Sequence, residues 1–129
     1  MSTQTVSFEY DKARNILFAV DDYEMATERD VDQFLALYER QFQEIGTRPY
    51  LVAGIDGLLV GAKVDAYYGR RAKEVMERNI LGFARHGSSA VARMSLRTAA
   101  LKAGLEINIF NSREQAVAAV EKMMRQQAG

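Results

Sequence analysis

The sequence predicts a single α/β domain: a mixed sheet, opened by an N-terminal hairpin and continued by parallel strands, with about four helices packed on it. Three observations predict it. Tyr50-Leu51-Val52-Ala53-Gly54-Ile55-Asp56 is an apolar run of strand length closed by an Asp-Gly pair, the pattern of a strand buried on both faces. Val6 to Tyr10 and Ile16 to Val20 alternate on either side of the polar Asp11-Lys12-Ala13-Arg14-Asn15, as the two arms of a hairpin do. From there on, helical periodicity and short apolar runs take turns, the order that makes neighbouring strands parallel.

The elements follow in order. Thr27-Glu28-Arg29-Asp30 is a capping box, and Val31, Phe34, Leu35, Tyr38, Phe42 and Ile45 follow at helical spacing, so a helix spans about Glu28 to Ile45. Gly46 ends it, and Pro49 leads into the apolar strand. A second helix runs from about Val64 to Asn79, with Val64, Tyr68, Ala72, Val75 and Met76 inward. Ile80 to Arg85 is a short strand closed by His86-Gly87-Ser88-Ser89. A third helix follows, with Val91, Met94, Thr98 and Leu101 as its inner face and Gly104 as its stop. Leu105 to Phe110 alternates as a strand, and Ser112-Arg113-Glu114-Gln115 caps a last helix that buries Ala116, Val117, Val120, Met123 and Met124. The domain spans 4–125 and the tail from Gln126 to Gly129 is expected to fray.

Composition narrows the function. A chain of 129 residues builds one core without disulfides or metal. The absence of cysteine removes thiolate catalysis and sulfur-based zinc sites, and with a single histidine no metal site and no cofactor is expected. The opening Met1-Ser2-Thr3-Gln4-Thr5 carries no secretory signature and no stretch is long enough to span a membrane, so a cytoplasmic protein is expected. Zero net charge gives no reason to expect nucleic acid as a partner. The charges are nonetheless divided: residues 1–60 hold 11 acids and 5 bases and the rest 6 and 12, or −6 followed by +6. That division is compatible with a homodimer or with a basic patch for an acidic partner.

The hairpin leading into the Thr27 helix, the strand ending Ile55-Asp56-Gly57 before an Arg-containing helix, and the closing Ile107-Asn108-Ile109-Phe110-Asn111-Ser112-Arg113-Glu114-Gln115-Ala116 together resemble the STAS domain of the anti-sigma-factor antagonist type, in its divergent SpoIIAA-like branch. The resemblance implies a STAS-like fold and a non-enzymatic regulatory module acting through an as yet unidentified protein partner. It also implies a Ser or Thr phosphoswitch just after the central strand. This chain departs there, because no serine or threonine lies between Thr47 and Ser88.

Two surfaces are candidates. Asp56, Gly57, Leu58, Leu59, Val60 and Lys63 form a loop after the central strand, where three apolar residues either cover the sheet end or stand exposed as a docking surface for a protein partner. Arg85, His86, Ser88 and Ser89 either cap the third helix or, on free amides, hold an anion, and the alternative function is a sensor or carrier of a small apolar or anionic metabolite or lipid bound between the sheet end and the His86–Ser89 turn. Asp65 is explained by the dipole of its helix start. No Walker loop, dinucleotide fingerprint or nucleophile elbow is present, so no catalytic residue is assigned and no enzyme is expected.

Overall fold

A computed structural model describes residues 4–128. The expectation drawn from the first five residues therefore lies partly outside the described part, as does the fraying of Gly129. The order is β1 (Thr5–Asp11), β2 (Ile16–Met25), α1 (Glu28–Ile45), β3 (Tyr50–Val60), α2 (Asp65–Asn79), β4 (Gly82–His86), α3 (Ala90–Ala103), β5 (Ile109–Phe110) and α4 (Arg113–Ala128). The five strands lie side by side in sequence order. β1 is antiparallel to β2, and every later pair is parallel. The predicted mixed sheet with four helices is what forms.

Local chemistry accounts for the turns. In the β1–β2 hairpin Asn15 takes a left-handed φ of 59°, a conformation asparagine tolerates. Its side chain holds it there, accepting from the Tyr10 hydroxyl at 2.6 Å and donating to the Arg48 carbonyl at 2.9 Å. The Thr27–Asp30 capping box closes as predicted, and Gly46 ends α1 at a φ of 77°. At α4, Ser112 accepts from the Gln115 amide at 3.2 Å while the Gln115 side chain accepts from the Asn111 amide at 3.0 Å.

Strand alternation divides the core in two. Leu17, Ala19, Leu51, Ala53 and Ile55 face a layer containing α1, α2 and Leu96 and Ala99 of α3. Ile16, Phe18, Tyr50, Val52 and Ala84 face α4 through Ala116 and Val120. The inward stripes predicted for α1 and α2 are buried, except that Ile45 is only partly so.

Expectations change at five elements. β2 and β3 each run several residues further than their apolar patterns suggest, while β5 pairs only over Ile109–Phe110 because Asn108, at φ 44°, breaks the extended run. α4 continues past Gln126 to Ala128, and the Tyr50 hydroxyl bonds to Gln127 at 2.5 Å. α3 is rotated: Ala92, Leu96, Ala99 and Ala100 are buried, and Val91, Met94 and Leu101 are exposed. The reason is how closely α3 packs. A Cβ on Gly69 of α2 would lie 2.5 Å from the Ala99 carbonyl oxygen and 2.8 Å from the Ala103 Cβ. Helices that approach this near can meet only through small side chains, so the alanines turn inward and the larger residues outward.

Candidate functional site

The loop expected after Asp56 is a continuation of β3. Val20 pairs with Gly54 and Asp22 with Gly57, so two steps along β2 match three along β3 and the extra residue is a bulge at Ile55–Asp56. A bulge resets the two-residue period. Beyond it Leu58 and Val60 point into the core, 2% and 3% exposed, while Leu59 is half-buried. The exposed apolar loop is thus corrected: two of its three residues are core, paired in register with Tyr23 and Met25. Glycine is required at Gly57, where a Cβ would come within 2.8 Å of Asp22 Oδ1 and 3.1 Å of its Cα.

β4 ends opposite Gly54, so among the described residues this extension of β3 has no strand on its outer edge. α3 seals it instead. The Val60 amide donates to Ser95 Oγ at 3.3 Å. Asp56 accepts from the backbone amides of Ser88 and Ser89 at 2.7 and 2.9 Å, with Gly87 folded so tightly around the carboxylate that a Cβ there would sit 2.8 Å from it. An Asp56 carboxylate on the amides before a helix is favoured by the partial positive charge of that terminus. Two residue groups that are separate candidates in the sequence are therefore one structural joint.

That joint corrects the anion-binding reading of Arg85, His86, Ser88 and Ser89. The amides it needs are taken by Asp56, and Ser89 Oγ caps α3 by accepting from the Ala92 amide at 3.2 Å. Arg85 and His86 are adjacent in a strand and so point to opposite faces. His86 lies over Gly54, where an added Cβ would fall 3.0 Å from the imidazole ring. Burial, and then the charge of Arg113, hold the His86 pKa below its ordinary value. Arg85 is buried on the other face, among α1 and α2.

The rotation of α3 creates a surface that sequence reading missed. Val91, Met94 and Leu101 are 65%, 70% and 68% exposed. Val91 and Met94 rim a groove of about 320 Å³ whose floor includes Val60, Ala62 and Asp65. α3 carries Arg93, Arg97 and Lys102 and no acidic residue. Lys63 is exposed on the connection into α2. Asp65, the first residue of α2, is buried and bonded to Lys102 at 2.7 Å, which ties α2 to α3. The signal that finds this surface is the recurrence of alanine at 92, 99, 100 and 103, which marks the contact side of the helix better than its larger residues do.

A second missed feature lies in the core. Asp21, Tyr38, Tyr68 and Arg85 meet there, all at most 6% exposed. The Tyr38 hydroxyl donates to Asp21 at 2.5 Å. Burial pushes the Asp21 carboxyl up to about 7, against smaller opposing pulls from the Tyr38 hydrogen bond and the Arg85 charge. Among the described residues no cluster of three or more His, Cys, Asp or Glu side chains is placed to hold a metal, and no helix is long and apolar enough to cross a membrane.

The sheet order, the three-helix layer and the closing helix together define a STAS-like fold, that of the anti-sigma factor antagonist SpoIIAA. The solved structure of SpoIIAA in its unphosphorylated form superposes with a TM-score of 0.59 at 11% identity, covering 92% of this chain and 97% of that one. An anti-sigma factor antagonist from Mycobacterium paratuberculosis superposes with a TM-score of 0.60, also at 11% identity and over the same shares of the two chains. No protein-family model and no curated protein sequence matches the chain.

Proposed function

We propose that this chain is a non-enzymatic, cytoplasmic regulatory module that binds a protein partner through the outward face of α3 and the adjoining β3–α2 connection. One observation carries the reading: Val91 and Met94 stand exposed along a groove at the carboxyl end of the central strand. In open α/β sheets that edge is where ligands and partners bind, and the fold is one that anti-sigma factor antagonists use. An apolar stripe flanked by charge is the make-up of a protein contact, with a dry centre and a polar rim. Of the residues that the sequence assigns to the contact, Leu59 and Lys63 are accessible to a partner. Asp56, Gly57, Leu58 and Val60 support them from behind, through the α3 joint and the core.

The module works without a hydroxyl phosphoswitch at this surface's β3–α2 side. The chain from Arg48 to Gly87 has no serine or threonine, and the first position of α2 is an aspartate already bonded to Lys102. Control of the contact therefore comes from the abundance of the partner or from another signal.

The test is native mass spectrometry of the tagged protein recovered from its host, beside a Met94→Asp variant. The expected result is a stoichiometric second protein with the wild type, lost with Met94→Asp at an unchanged melting temperature. Capture that survives the substitution overturns the surface. Recovery alone with a reproducible small-mass adduct overturns the function in favour of a ligand carrier.

A further inference from the structure

Independently of any protein contact, the core holds a cation that, among the described residues, no carboxylate approaches within ion-pair distance. Arg85 is 4% exposed. Its guanidinium stacks on Phe83 with 4.6 Å to the ring centroid, Nη2 reaches the Met76 sulfur at 3.7 Å, and the Tyr68 hydroxyl also interacts with the guanidinium. Nη1 is buried with no hydrogen-bond partner. Among the described residues no carboxylate forms an ion pair with Arg85. Asp21 acts on it through space but is bonded to Tyr38.

Arg85 lines a cavity of about 30 Å³ between the sheet, α1 and α2. A single water needs roughly 10–15 Å³, so the space admits one small guest. A water would satisfy the free N–H but leave the buried charge uncompensated, which is the more costly defect.

We propose that this cavity is a binding site for a small monovalent anion of halide size, held by Arg85 Nη1. The polar groups around it are Asp21 from β2, Tyr38 from α1, Tyr68 from α2 and Arg85 from β4, and the rest of the lining is apolar. Of these, Asp21 changes charge near neutrality, at about 7. Protonated, it leaves Arg85 as an unmatched cation that attracts the anion. Ionised, it repels the anion. Binding and proton uptake are therefore linked, and the site fills as pH falls.

The experiment is thermal unfolding of the intact protein in sodium chloride against sodium gluconate at equal ionic strength, at pH 6 and pH 8. Chloride should raise the midpoint saturably where gluconate, too large for the cavity, does not. If only the Asp21-protonated form binds, apparent affinity is about tenfold weaker at pH 8 than at pH 6, the ratio of the protonated fractions. Arg85→Met should abolish the chloride increment. Because that variant can fail to fold, a bromide-soaked crystal of the wild type provides a second reading, with an anomalous peak expected against Nη1. Equal midpoints in the two salts, an increment retained by Arg85→Met, or a cavity holding water alone in bromide each overturn the proposal.

Discussion

Replacing Asp21 with Asn removes a buried carboxyl that titrates near neutrality and keeps the oxygen that the Tyr38 hydroxyl donates to. Burial raises the Asp21 pKa from 3.8 to about 7. Between those values the folded chain holds a proton that the unfolded chain releases, so the stabilising contribution is complete below pH 4 and gone once pH has risen through 7. At about 1.4 kcal/mol per pH unit, this one group lowers the unfolding free energy by about 4 kcal/mol across the interval. His86 has the opposite sign: its lowered pKa withdraws stability as pH falls through its unfolded value. That term is common to both proteins and cancels in their difference. Urea unfolding of wild type and Asp21→Asn from pH 4.5 to 7.5, in chloride-free buffer, should show the wild type losing about 3 kcal/mol relative to the variant. Parallel curves would mean that Asp21 titrates at the same pH folded and unfolded, and that burial does not raise its pKa.

Other substitutions check the joint and its surroundings. Leu58→Ala should cost about 2–5 kcal/mol in urea unfolding, as a buried leucine does, while Leu59→Ala on the half-buried side should cost under about 1 kcal/mol. Equal losses would deny the bulge its reversal of facing. Asp56→Ala should cost about 1–3 kcal/mol and speed hydrogen exchange at the Ser88 and Ser89 amides, whose acceptor is removed. Gly69→Ala should lower stability by about 1–3 kcal/mol, since its Cβ would meet the Ala99 carbonyl and force α2 and α3 apart. A wild-type midpoint there would mean the helices are less closely packed than described.

The order of elements is legible in the sequence because each is marked by local chemistry: the Thr27–Asp30 box, the Gly46 stop and the apolar run from Tyr50 act over a few residues. What is not legible depends on partners distant in the chain. Asp56-Gly57 reads as a turn until Asp22 lies across from Gly57, and only then is the pair a bulge that sends Leu58 and Val60 inward. The face of α3 is misread from sequence because hydrophobic size is a poor sign of burial where two helices nearly touch. Here the proximity of Gly69 selects alanine for the contact and leaves Val91, Met94 and Leu101 outside. The polar core cluster joins β2, α1, α2 and β4, so no window of sequence contains it.

We propose the outward face of α3 as the place where a protein docks. Hydrogen–deuterium exchange of the chain, free and in the complex recovered with it, tests that most directly. New protection should be confined to residues 59–66 and 90–102, the β3–α2 connection and α3. Protection centred on α4 or the β1–β2 hairpin, with α3 exchanging as it does in the free chain, would place the contact elsewhere.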